Sequence, residues 1–145
     1  MLLTYKTLFI NYKLKYYIMS YYISKTVNTD FESATQKITE ELKKEGFGIV
    51  SQLDTHKIFK EKLNTYFRPY RILGACNPSF ALQSINSEDK IGVLLPCNIL
   101  IQEKDGKTEI AIIDSAAMTE NLNNPDMAEI SKKISKKLKS ALSNV

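Results

Sequence analysis

The chain has 145 residues, 43% of them hydrophobic and 25% charged, a balance that fits one ordinary globular domain and excludes a disordered chain. Three of its four net positive charges come from Lys6, Lys13 and Lys15 in residues 1–18, which hold no Asp or Glu. The remainder carries only +1, too little for a nucleic-acid footprint.

Residues 1–18 also hold four of the eight tyrosines, Tyr5, Tyr12, Tyr16 and Tyr17. No apolar run there is long enough for a secretory signal or a membrane span. Lys and Tyr interleaved with Leu and Ile would also suit a membrane-surface helix. We read this stretch instead as an extension outside the domain, with translation starting at Met19 and a single domain over 19–145. Cys76 and Cys97, without an export signal, imply a reducing, cytoplasmic setting with free thiols.

Tyr21 to Val27 alternates β-branched and aromatic residues, which predicts a first strand. Thr29 or Asp30 offers a helix cap, and Phe31, Ala34, Ile38 and Leu42 recur at helical spacing before Gly46 supplies a left-handed stop. Phe47 to Leu53 reads as the second strand. Asp54 or Thr55 then opens a short helix through Leu63 that presents Ile58, Phe59 and Leu63 inward, with His56 exposed and Lys57, Lys60 and Lys62 solvated.

Tyr66-Phe67-Arg68-Pro69 breaks the helical pattern because proline disfavours helix for the residue before it. Tyr70 to Ala75 is a third strand, and Asn77-Pro78 has the form of an N-cap followed by proline at the first helical position, opening a helix over about 79–85. An apolar run, Ile91 to Leu95, ends at Pro96. Asn98 to Lys104 and Lys107 to Ile113 are strands joined by the hairpin signal Asp105-Gly106. Asn124-Pro125 opens a final helix whose stripe is Met127, Ile130, Ile134, Leu138 and Leu142. The order β-α-β-α-β-α-β-β-α predicts an α+β two-layer sandwich, a mainly antiparallel sheet with helices on one face.

The chain contains no Walker loop, G-x-G-x-x-G, H-E-x-x-H or G-x-S-x-G, which removes the commonest phosphate, dinucleotide, zinc-protease and hydrolase mechanisms. Two Cys and the single His56, with no C-x-x-C pair, predict no metal site. No cofactor is named by any motif.

Two Cys-Asn dipeptides stand out. Cys76-Asn77 ends a strand before the Pro78 helix, and Cys97-Asn98 follows Pro96 and begins another. If their strands are neighbours, both thiols face one cleft, with the helix start aiming N–H groups at Cys76. The competing reading is that both are small core residues, since free Cys is among the most buried types. Arg68 and Arg71, beside Tyr66, Phe67 and Tyr70, suit an anion site built from bidentate contacts and ring stacking. The competing reading is a surface loop stitched by local contacts.

The segments Tyr70-Arg71-Ile72-Leu73-Gly74-Ala75-Cys76-Asn77-Pro78 and Leu94-Leu95-Pro96-Cys97-Asn98 resemble the bacterial family called domain of unknown function 302. The opening Tyr21 to Val27 and the step Glu45-Gly46-Phe47-Gly48 share in the resemblance, which spans residues 20–118 and leaves the amino-terminal extension and the length of the final helix outside. It implies a compact α+β fold and frequent dimers, without assigned biochemistry. We therefore expect a homodimeric binding or accessory module for a small or anionic ligand, using neither nucleic acid nor membrane. Its candidate ligand residues are Arg68, Tyr70, Arg71, Asn77, Pro78, Pro96 and Asn98. The alternative is a thiol-dependent redox or sulfur-handling enzyme in which Cys76 and Cys97 attack and resolve.

Overall fold

A computed structural model of the protein describes residues 20–145. The expected extension and the start at Met19 lie outside the described residues.

The first strand, β1 (Tyr22–Val27), leads through the cap Asp30, whose carboxylate accepts the Ser33 N–H at 2.9 Å, into α1 (Phe31–Lys44). That helix buries the predicted stripe Phe31, Ala34, Ile38 and Leu42, each large side chain contributing roughly 1.5–3 kcal/mol. Gly46 ends it with φ +86°, a conformation that costs glycine nothing. Strand β2 (Gly48–Asp54) and helix α2 (Thr55–Leu63) follow, then β3 (Tyr70–Cys76) and α3 (Pro78–Ser87). A 3-10 turn over Asp89–Leu94 accounts for the apolar run before Pro96, and the Leu95–Pro96 peptide is cis.

Strands β4 (Cys97–Lys104) and β5 (Lys107–Ile113) form the predicted hairpin, with Asp105 and Gly106 both at positive φ, as a two-residue turn requires. A short helix the sequence reading did not contain, α4 (Ser115–Thr119), is capped by Asp114, which accepts the Ala116 and Ala117 N–H groups. It leads through a 3-10 turn at Glu120–Leu122 to α5 (Pro125–Ser143), which buries Met127, Ile134, Leu138 and Leu142 of the expected stripe.

All five strands join one sheet in the order β1-β5-β4-β3-β2, and every pairing is antiparallel. The fold is the α+β sandwich expected. Helices α1 and α5 cover one face, where Leu73, Ala75, Cys97, Ile99, Ile101, Ile110 and Ile112 meet the helical stripes in a single core. Among the described residues, no helix is long and apolar enough to cross a membrane.

Helix α2 departs from expectation. None of its residues is buried, and Ile58 and Leu63 are exposed instead of turned inward. It follows β2, the edge strand, so no strand lies beyond to receive its apolar side. His56 is correspondingly not exposed but half-buried, its Nδ1 accepting the Tyr70 N–H at 3.0 Å and its ring meeting Phe31 edge-on.

Candidate functional site

A strand residue and its cross-strand partner share a face, and successive residues alternate between faces. Arg71↔Ile101↔Ile110 and Leu73↔Ile99↔Ile112 are therefore rows of the helix-covered face. The rows between them form the opposite face: Tyr70↔Gln102↔Glu109, Ile72↔Leu100↔Ala111, and the pairs Gly74↔Asn98 and Tyr22↔Ile113. No helix covers it. All of these residues but Gly74 line a hollow of about 460 Å³, inside the range of about 300–1,000 Å³ typical of small-molecule sites.

The hollow has an apolar floor of Ile72, Leu100, Ala111 and Ile113 and a polar rim that includes Asn98, Lys104 and Glu109. Arg68 dominates that rim. Its guanidinium lies over the rings of Phe67, 4.4 Å from the centroid, and Tyr70, and its Nε and Nη2 donate to Gln102 Oε1 at 3.0 and 2.8 Å. Gln102 in turn donates through Nε2 to Glu109 Oε1 at 2.8 Å. A neutral amide thus stands between Arg68 and the nearest carboxylate in this chain of contacts. Among the described residues, no Asp or Glu forms an ion pair with Arg68.

Arg71, expected beside Arg68, points through the other face and is saturated. Its side chain is 6% exposed. Its Nε donates to Asp54 Oδ1 at 2.6 Å, and Nη1 and Nη2 donate to the Glu32 carboxylate at 2.8 and 3.1 Å, with Phe31 stacked against it. These bonds hold the Asp54 carboxyl at a pKa of about 2, against burial that opposes the shift. With two carboxylates already on it, Arg71 is a structural ion-pair centre and has no charge left for an anion.

The Cys-Asn residues separate in the same way. Cys97 pairs with Ala75 on the core face, so alternation turns Cys76, the next residue of β3, to the opposite face. Strand alternation thus sets the two thiols toward opposite faces at a one-residue offset, while Cys76 still lies near enough to help burial raise the Cys97 thiol pKa. Cys97 is buried, and loss of solvent pushes its thiol pKa up, while a contact to Ser115 Oγ at 3.9 Å opposes the shift. Cys76 is half-buried at the end of β3.

Asn77 and Pro78 are structural as well: Asn77 Oδ1 accepts the Phe80 N–H at 3.3 Å, and proline occupies the first turn of α3. Pro96 packs over Gly74, where an added Cβ would lie 2.6 Å from Pro96 Cγ and would also collide with Ser51 Oγ. Of the sequence candidates, Arg68, Tyr70 and Asn98 meet at the hollow; Cys76, Cys97, Arg71, Asn77, Pro78 and Pro96 do not line it. Gln102, Glu109 and Leu100 were missed, although Asn98, Leu100 and Gln102 alternate with Ile99 and Ile101 in β4, which is the signature of a face distinct from the core.

A five-stranded antiparallel sheet backed on one face by two amphipathic helices, its other face bare of helices among the described residues, defines this as a compact α+β scaffold. The family described as Domain of unknown function DUF302 matches over residues 23–145, and the chain belongs to it. The match includes α5, which the sequence resemblance had left outside. Among solved structures, an uncharacterized conserved DUF302 protein from Bacillus stearothermophilus is similar, with 28% identity and a TM-score of 0.82, covering 88% of this chain and 98% of that one. No curated protein matches.

Proposed function

We propose that this protein is a homodimeric binding module that holds an amphipathic anion, such as a small carboxylate with an apolar body, on the uncovered sheet face. The observation that carries this reading is Arg68: a guanidinium stacked on aromatic rings at the rim of an apolar hollow, bonded to a neutral amide and to no carboxylate. Guanidinium has five donors and spends two on Gln102, which leaves an edge for a ligand carboxylate. Tyr70 and Asn98 lie beside it, and Ile72 and Leu100 suit the ligand's apolar part.

The dimer follows from the same face. The hollow is shallow, whereas small-molecule sites bury most of their ligand. Sheet faces pack about 10 Å apart, so a second copy laid on this face would close the hollow and cover Ile72, Leu100 and Ile113. The Cys76 and Cys97 enzyme reading has no comparable support, because their side chains leave the sheet on opposite faces.

Calorimetric titration with decanoate, and with the uncharged alcohol of the same chain length, tests the ligand class. Decanoate should bind more tightly than the alcohol, and Arg68→Met should weaken it by about tenfold or more, the worth of a charge-assisted hydrogen bond. Equal binding of acid and alcohol, or an unaffected Arg68→Met, overturns the anion reading. Native mass spectrometry tests the dimer: a Leu100→Lys variant should be monomeric, and a dimer that survives it would place the interface elsewhere.

A further inference from the structure

Gln102 occupies the middle of the row Tyr70↔Gln102↔Glu109 on the uncovered face and is only 7% exposed. Its two ends meet opposite charges. Oε1 accepts both Nε and Nη2 of Arg68, at 3.0 and 2.8 Å, and Nε2 donates to Glu109 Oε1 at 2.8 Å. A guanidinium only donates and an ionised carboxylate only accepts, so the side chain between them has to do both without carrying charge. An amide meets that requirement. A carboxylate at this position would pair with Arg68 and repel Glu109, and an aliphatic side chain would leave the two charges free to meet.

Arg71 displays the alternative within the same sheet. Its guanidinium also lies over an aromatic ring, that of Phe31, but the carboxylates of Asp54 and Glu32 take up both of its edges. Arg68 is held in direction without being neutralised. The rings of Phe67 and Tyr70 support its guanidinium, and the two bonds to Gln102 fix its rotation, because Nε and Nη2 lie along one edge. Among the described residues, Nη1 of Arg68 has no hydrogen-bond partner. The terminal edge, Nη1 with the second hydrogen of Nη2, therefore presents two parallel donors, the geometry that a carboxylate accepts in bidentate fashion.

We propose that Gln102 is the specificity-determining residue of this face: it holds Arg68 by the Nε–Nη2 edge, keeps the Glu109 carboxylate off the guanidinium, and so leaves the terminal edge to the paired oxygens of a planar carboxylate ligand. The assignment rests on the anion reading of the hollow given above. Gln102 acts through Arg68 and is a positioning residue, while the ligand's charge is met by Arg68 itself. Holding a long side chain in place before the ligand arrives lowers the cost of ordering it on binding. Discrimination against an uncharged head group on the same apolar body follows, since an alcohol offers one oxygen and no charge.

The exchange variant, Gln102→Glu with Glu109→Gln, keeps the net charge and the number of carboxylates at the rim while moving a carboxylate onto Arg68. Calorimetric titration of the full chain with decanoate and with decanol should show the wild-type preference for the acid falling by about tenfold or more in this variant, the worth of a charge-assisted hydrogen bond. A loss of packing alone would weaken both ligands together and leave that ratio in place. A ligand-free arm compares urea midpoints: Arg68→Met should lower the midpoint more in the exchange variant than in the wild type, because there it removes an ion pair. Cooperative melts establish that each variant is folded, and Gln102→Glu alone carries the same two expectations. Equal midpoint shifts, or an acid preference preserved in the exchange variant, overturn the proposal. Unequal shifts with a wild type that binds acid and alcohol alike overturn the anion reading, on which the selectivity depends, while upholding Gln102 as the group that keeps Arg68 unpaired.

Discussion

Gly74 sits where β3 has no room for a side chain, because Ser51 and Pro96 close over it from either side. Gly74→Ala is therefore expected to lower stability by about 1–3 kcal/mol, the usual cost of overpacking a tight site, measured as a reduced urea midpoint. Arg71 makes the opposite argument, since here a side chain is indispensable. Arg71→Met leaves the Asp54 carboxylate with Lys57 and a long bond from Gln52 Nε2 at 3.4 Å, and removing one partner of a buried ion pair costs about 3–5 kcal/mol. The retained Lys57 contact at 3.0 Å puts the expected loss near the lower end of that range.

The same pair sets a pH dependence. The folded pKa of Asp54, about 2, lies below its ordinary 3.8, so the folded state favours the ionised form. That stabilisation, on the order of 2 kcal/mol, is complete above about pH 5 and is lost as pH falls through about 4 toward 2. Glu32 shifts in the same direction, but its side chain is 72% exposed and adds little. Urea melts from pH 6 to pH 2 should show this acid limb in the wild type and a flattened one in Arg71→Met.

At the scale of elements, the two long helices and the hairpin were legible because each is specified by its own residues. A stripe such as Phe31, Ala34, Ile38 and Leu42 needs only helical spacing to be seen, and Asp105-Gly106 needs only two residues able to take positive φ. The α5 start is equally local: Asn124 Oδ1 accepts the Met127 N–H at 3.0 Å, while its Nδ2 donates to Ser87 O at 2.9 Å. Asn124→Ala should cost about 1–2 kcal/mol by losing the cap, with the loss of the Ser87 link loosening the end of α3, read as faster amide exchange there. Helix α2 was misread because, beside an edge strand, its apolar residues find only partial cover: Phe59 meets Phe67 edge-on while Ile58 and Leu63 stay exposed. Helix α4 was missed because five residues carry too short a pattern, although Asp114 marks its cap.

At the scale of the whole molecule, strand order and register decide what the residues can do together. The thiols are the plainest case. Iodoacetamide should label Cys76 in the folded protein and reach Cys97 only when the protein is unfolded, and mild oxidation should yield no intramolecular disulfide; ready formation of that bond would contradict the opposed side chains. Arg68 and Arg71 differ for the same reason. Three positions apart in sequence, one lies over the open face while the other is drawn among Glu32, Asp54 and Phe31.

The family, the α+β class, the element order and the core stripes of α1 and α5 follow from the order of residues alone, since spacing, caps and turns are short-range properties. Which face of the sheet stays bare, that Cys76 and Cys97 diverge, and that Arg68, Tyr70 and Asn98 converge on one hollow were decided only by the tertiary structure. The reason is the two-residue period of a strand: a single step of register reverses every side chain, and register is set by partners distant in the chain.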